Sequence, residues 1–292
     1  MQTPDLKKIT TDTIQGYFLE NKKVELDVLR LDKIHPVISG NKWFKLKYHL
    51  DNFNAGNYKG IVTFGGAWSN HILATACACY LQKTNCVGII RGERPETPST
   101  TLVEAIKYGM ELRFMPRQDY SRRKTDEFLE SLQKEFPDYY IIPEGGAGPQ
   151  GEKGAAEILQ HIDRNNYTHL ACAVGTGTMF NGIKNALSPD QQLIGIVVLK
   201  GWKEEKKTNT SKLICSYHFG GYAKYSSVLV GFMNELFSST GIPTDIVYTG
   251  KLAYAIFDMI KNDHFIPASK ILMIHSGGLQ GNESLQKGSL IF

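Results

Sequence analysis

Along the chain, short continuous apolar runs alternate with longer stretches whose apolar residues recur every three or four positions. The short runs, at residues 60–64, 86–90, 112–115, 139–143, 170–174, 193–199 and 271–275, predict strands, mostly buried on both faces. The longer stretches, at 72–82, 101–109, 122–135, 151–163, 179–186, 228–239 and 252–262, predict helices. Gly109 supplies a stop signal for the second of them. A further helix opens at Lys42, directly behind a Ser39-Gly40-Asn41 turn. Strands alternating with helices imply parallel sheets covered on both faces. The pattern pauses at Pro143-Glu144-Gly145-Gly146-Ala147-Gly148 and restarts, which reads as a hinge between two such units. The expectation is an α/β fold of two domains, each an open, mostly parallel sheet with helices on both faces.

Composition narrows the class. At 292 residues and 42% hydrophobic, the chain can bury a large core. The net charge of +4 is spread along the chain, and its densest charged stretch, Lys203-Glu204-Glu205-Lys206-Lys207, mixes signs and reads as a solvated loop. No nucleic-acid partner is expected. Cys77, Cys79, Cys86, Cys172 and Cys215 sit mostly in apolar runs without Cys-x-x-Cys spacing, so they read as reduced core residues. His161, His169 and His218 also lack ligand spacing, and no metal site is expected. No run reaches the ~20 apolar residues of a membrane span. Residues 1–8 hold no apolar leader segment, so a cytoplasmic protein with no membrane partner is expected.

The candidate chemistry lies in three Gly-rich turns. Gly175-Thr176-Gly177-Thr178 joins a strand ending at Val174 to a helix, where close backbone N–H groups, two hydroxyls and a helix N-terminus suit a phosphate monoester. It misses the dinucleotide spacing, since the next glycine is Gly182, and the next strand ends at Lys200 rather than at a ribose-binding carboxylate. Gly65-Gly66-Ala67-Trp68-Ser69-Asn70-His71 follows the strand at 60–64, and its amides with Ser69 and Asn70 could hold a carboxylate. Ser69 reads equally well as a helix cap. The third turn precedes Lys42. A lysine that condenses with an aldehyde must be partly desolvated so that its amine is neutral and nucleophilic.

Five segments in order resemble one family. Gly40-Asn41-Lys42 with Lys45-Leu46, the Gly65–His71 turn, Val174–Thr178, Asp245-Ile246-Val247-Tyr248-Thr249-Gly250-Lys251 and Ile274-His275-Ser276-Gly277-Gly278 are similar to the motifs of 1-aminocyclopropane-1-carboxylate deaminases and D-cysteine desulfhydrases. These are fold-type II enzymes, with a tryptophan synthase β-like fold, and depend on pyridoxal 5'-phosphate. The resemblance implies that Lys42 holds the cofactor covalently and then acts as a general base. Gly175, Thr176, Gly177 and Thr178 would hold its phosphate, and Asn70 would lie beside its 3'-oxygen. Ser69, Asn70 and His71 would hold the substrate carboxylate, with Ser69 also assisting proton transfer. Tyr248 would be a second acid-base group, and Lys251 a supporting residue. Thr249 and Ser276 would lie at the cofactor. The implied domains are 1–45 with 150–292, binding the cofactor, and 46–149, inserted, with the active site between them. A homodimer is also implied.

Ring-opening members carry Glu after the tyrosine and Leu after the last histidine. Thr249 and Ser276 stand there in this chain and lean toward the D-cysteine side. A hydroxyl leaves the cofactor ring a weaker electron sink than a carboxylate would, and elimination of a thiol tolerates that better than ring opening. Trp43-Phe44 departs from the family pattern, and Trp68 in the substrate turn is expected to narrow the pocket. Tyr222 reads as either a ring against the cofactor or packing, and Glu144 as a loop carboxylate. A β-replacing synthase of the same fold and a cofactor-binding protein without turnover stay open as alternatives.

Overall fold

The structure is a computed structural model that describes residues 3–202 and 210–292, so the charged stretch Lys203 to Lys207 lies outside the described residues. The elements run β1 (Thr11–Ile14), α1 (Tyr17–Lys22), β2 (Glu25–Arg30), α2 (Asn41–Ala55), β3 (Gly60–Gly65), α3 (Asn70–Leu81), β4 (Asn85–Arg91), α4 (Thr100–Lys107), β5 (Met110–Met115), α5 (Arg117–Ser121), α6 (Asp126–Glu135) and β6 (Tyr139–Ile142). They continue with α7 (Pro149–Ala156), β7 (His169–Val174), α8 (Thr178–Asn185), β8 (Gln192–Val197), β9 (Ser211–Ile214), α9 (Ser227–Thr240), α10 (Thr249–Lys261) and β10 (Lys270–His275).

Two sheets form. One has six strands in the order β1-β2-β10-β7-β8-β9, and the other has four in the order β5-β4-β3-β6. Among the described strands every ladder is parallel except β1 with β2 at the edge of the larger sheet. The period-2 geometry of a strand explains why the central runs are apolar throughout. On β7, Ala171 and Ala173 pack into one core with Leu252, Ile256 and Met259 of α10. Leu170, Cys172 and Val174 pack on the opposite face with Met179, Phe180 and Ile183 of α8 and Phe44 of α2. The small sheet is built the same way. Ile61, Cys86 and Ile90 meet α3 and α4 on one face, while Val62, Phe64, Val87 and Ile89 meet Tyr120 and Leu132 on the other. Each fully buried aliphatic side chain contributes roughly 1.5–3 kcal/mol of burial, so both sheets are anchored from two sides.

Several expectations need correction. The N-terminal segment contains a helix and two strands of the large sheet, and β9 adds an edge strand beyond β8. The helix expected over 122–135 is broken, because Thr125 caps a new helix by accepting a hydrogen bond from Phe128 N at 3.3 Å. The helix expected over 151–163 begins with Pro149 at its first turn and passes into a 3-10 segment, Glu157–His161. Trp43 and Phe44 are packing residues, Trp43 lying against two of the cores and Phe44 buried in one of them. None of the five cysteines is in a disulfide. Among the described residues no helix is long and apolar enough to cross a membrane, and no cluster of three or more His, Cys, Asp or Glu side chains could hold a metal ion.

Candidate active site

The carboxyl ends of β3, β4 and β7 converge, as expected of ligand sites in open parallel sheets. A cavity of about 230 Å³ opens there, lined among others by Lys42, Lys45, Ser69, Asn70, His71, Gly175, Thr176, Gly177 and Tyr248.

Lys42 is fixed by backbone geometry. Gly40 has φ +60°, in the left-handed region, and a Cβ on it would lie 1.8 Å from Ser276 O. Asn41 N donates to that same oxygen at 3.0 Å, and Gly40 N donates to Leu31 O at 3.0 Å. The loop after β10 therefore seats the first turn of α2. Lys42 Nζ donates to Asn41 Oδ1 at 2.6 Å and lies 5.7 Å from the centre of the Tyr248 ring. Burial pulls the Lys42 pKa down to about 8, against a smaller opposing pull from the Asp245 carboxylate. That makes a neutral amine accessible near physiological pH.

Lys45, one turn along α2, is also buried, and its pKa is held well below 10.5 by burial and by Lys42. A Cβ on Gly145 would lie 3.0 Å from Thr176 Cγ2 and 3.6 Å from Lys45 Nζ, so the amine and the threonine meet across that glycine. A buried amine opposes folding as long as the unfolded chain binds a proton that the folded chain disfavours. Lys45→Met is therefore expected to raise the melting temperature of the cofactor-free protein by roughly 2–4 °C. The gain should shrink as pH rises toward 10.5, the ordinary lysine value, where the unfolded side chain also gives up its proton. A fall in melting temperature at pH 7 would show that Lys45 stabilises the empty fold.

The Gly65–His71 turn is held from below. Ser69 does cap α3, accepting from Ile72 N at 3.3 Å. Asn70 Nδ2 donates to Gly278 O at 3.1 Å, while its Oδ1 is buried without a partner. His71 Nε2 pairs with Thr63 Oγ1 at 2.9 Å, and burial with Lys45 and Lys42 nearby keeps the imidazole neutral. Trp68 is not part of the cavity lining; its carbonyl accepts from Tyr222 Oη at 3.4 Å. Tyr222 itself lines the cavity, edge-on to Tyr248 at 6.3 Å, and burial pushes its pKa up to about 12. Burial, Tyr222 and Asp245 hold the Tyr248 phenol well above its usual range, so it stays protonated.

Thr176 Oγ1 and Thr178 Oγ1 lie 3.0 Å apart at the start of α8. Thr178, Thr249 and Ser276 are buried beside the cavity without lining it. Thr249 Oγ1 donates to Asp245 Oδ1 at 2.7 Å, and the Asp245 carboxylate also accepts from the backbone of Val247, Tyr248 and Thr249. Lys251, fully buried, donates to His218 O at 2.9 Å and Gly221 O at 2.7 Å, which is a structural role. Lys45 and Asp245 stood inside the resembling segments without an assigned role, while Arg91 and Arg123, which line the cavity, were not singled out in sequence. Glu144 reads in sequence as an ordinary loop carboxylate, whereas it lines the cavity, accepting from Tyr120 Oη and Arg123 Nε at 2.9 Å each.

Two features fit a phosphate-bearing aldehyde that also carries a ring hydroxyl able to donate. The unpartnered Asn70 Oδ1 offers an acceptor inside a polar cavity, where such an atom needs a partner. The space above Gly175 would be filled by any side chain, since a Cβ there meets Tyr248 at 3.0 Å.

No family model matches the chain. The bifunctional D-cysteine desulfhydrase/1-aminocyclopropane-1-carboxylate deaminase of Arabidopsis thaliana is 28% identical over 293 residues, spanning 88% of this chain and 73% of that protein. The D-cysteine desulfhydrase of Salmonella newport is 25% identical over 86% of each chain. A solved structure of an ACC deaminase homologue superposes with a TM-score of 0.79 at 24% identity, covering 94% of this chain and 90% of that one. Over 86–88% of its length the chain is similar to 1-aminocyclopropane-1-carboxylate deaminase and D-cysteine desulfhydrase proteins, and it shares the fold of an ACC deaminase homologue.

Proposed function

We propose that the chain is a pyridoxal-phosphate-dependent lyase or deaminase that converts a small amino acid to ammonia and a 2-oxo acid. The observation that carries this reading is the buried Lys42 amine, with its pKa near 8, opening into the same cavity as the Gly175-Thr176-Gly177 turn. When bound, the cofactor supplies an aldehyde for covalent attachment and a ring that takes up an electron pair from the substrate's α-carbon.

The residues of this chain do the rest. The N-terminus of α8, with Thr176, Thr178 and the Lys45 amine, holds the phosphate. Asn70 Oδ1 accepts a hydrogen bond from the ring side, and the Ser69–His71 turn holds the substrate carboxylate. The Lys42 amine removes a proton from the α-carbon. Tyr248, protonated at working pH, donates to the leaving side. The site occupies the cleft between a domain of residues 1–45 and 150–292 and a smaller one of 46–149. Thr249 and Ser276, in place of a carboxylate and an apolar side chain, favour D-cysteine over 1-aminocyclopropane-1-carboxylate. A homodimer in the cytoplasm follows from the resemblance alone.

Purified protein loaded with the cofactor should release pyruvate, ammonia and sulfide from D-cysteine. No product from D-cysteine or from 1-aminocyclopropane-1-carboxylate would contradict the reading, and 2-oxobutyrate from the second without sulfide from the first would overturn the substrate preference. Attachment of the cofactor to the empty protein requires neutral Lys42. Its rate should therefore rise with pH through a midpoint of about 8. A rate that is flat between pH 6 and 10 would show that the amine is not rate-controlling.

A further inference from the structure

Arg91 ends β4, beside β3, whose Gly65 leads into the substrate turn. It lines the same cavity as Lys42 and Ser69. A Cβ on Gly66 would lie 3.9 Å from Arg91 Nη2, so the guanidinium faces the turn that the proposed reading gives to the substrate carboxylate. The cavity holds a second arginine, but its donors are committed. Arg123 Nε and Nη2 are bound by Glu144, and Arg123 Nη1 donates to Tyr120 O at 3.2 Å. The Arg91 side chain, in contrast, forms no hydrogen bond or ion pair with the described residues, and its charge is felt by both Tyr120 and Tyr222.

A guanidinium fork with free donors at a cavity wall is complementary to a carboxylate or a phosphate. The α-carboxylate of the substrate already has the amides and side chains of Ser69–His71. We infer that Arg91 selects an amino acid with a second anionic group at the far end of its side chain. This rests on the proposed lyase reading and narrows its substrate class. Arg123 is held in place by Glu144 and shapes that end of the cavity without taking the anion.

The test compares O-acetylserine with O-succinylserine, both enantiomers of each. The two share an ester leaving group, and the second carries an added distal carboxymethyl group. Elimination moves the α-proton to Lys42 and breaks the Cβ–O bond, with the acid leaving as its anion. Water then releases pyruvate and ammonia from the remaining fragment. The expected result is a kcat/KM ratio favouring O-succinylserine by roughly 10- to 100-fold, carried mostly by KM, and its loss in Arg91→Met. Arg91→Lys should restore part of it. Glutamate should also perturb the visible absorption of the loaded protein at lower concentration than norvaline, a difference that Arg91→Met removes. Equal use of the two esters by the unaltered protein would overturn the inference, as would an Arg91→Met variant that weakens both and keeps the ratio. If neither ester yields pyruvate and no visible band forms, the lyase reading fails and this inference with it. Turnover of both esters without preference would sink the inference alone.

Discussion

Lys42→Ala is expected to lower turnover by at least about 10³-fold and to leave the protein without covalently held cofactor. Two separate losses add in this variant. Proton transfer by a positioned base contributes about 10²- to 10⁴-fold, and covalent attachment contributes more. The fold should survive, because Lys42 is desolvated in the native state and among the described residues its amine has only Asn41 as a hydrogen-bond partner. Removing a buried amine relieves a penalty instead of opening a hole in an apolar core. The measurement pairs a rate assay with the visible absorption band and with thermal melting. Retained activity with retained colour would move the covalent role to another lysine. Loss of activity accompanied by collapse of melting would mean that Lys42 acts as a structural residue.

Gly40→Ala should have the largest effect on stability, at least about 3 kcal/mol, and should also impair attachment of the cofactor. The new Cβ would sit 1.8 Å from Ser276 O and 2.2 Å from Ser276 C, both backbone atoms with no rotamer to yield. The left-handed φ of +60° adds strain of its own. Relief requires that the loop after β10 and the start of α2 move apart, which breaks the Asn41 N to Ser276 O hydrogen bond and displaces Lys42. Gly109→Ala is the matched control. It has φ +84° with nothing within 4 Å of its Cβ, so it should cost about 1 kcal/mol and leave cofactor attachment intact. Equal losses of melting temperature in the two variants would show that the contact with Ser276 carries no weight.

The central strands were legible because burial on two faces leaves a continuous apolar run, as in β7 and β10. β1 and β9 were not legible. Each is four residues at a sheet edge, Thr-Asp-Thr-Ile and Ser-Lys-Leu-Ile, and takes its conformation from pairing with a neighbour. β2 carries Asp27 and Arg30 within an apolar run, and their partners, Tyr167 and the Asp12–Asp32 pair, are far apart in the chain or outside the strand. At the site, Lys42 and the turns at Gly65 and Gly175 stood out because close approach to a ligand demands glycine next to specific donors. Arg91, Arg123 and Glu144 are ordinary charges in sequence, and Asp245 stands in a resembling segment without a role of its own. Their place in or behind one cavity comes from strand register and from the packing of α10, which no local pattern encodes.

Three buried lysines, Lys42, Lys45 and Lys251, have their pKa lowered by desolvation, so a lowered pKa alone does not identify the one that binds the aldehyde. Geometry does, since Lys42 faces Tyr248 while Lys45 meets Thr176 and Lys251 is tied to His218 and Gly221 carbonyls. The direct test is to reduce the cofactor-loaded protein with borohydride and locate the added mass by peptide sequencing. The predicted result is bleaching of the visible band with the mark on Lys42 alone. A mark on Lys45 or Lys251, or none on any lysine, would contradict the account.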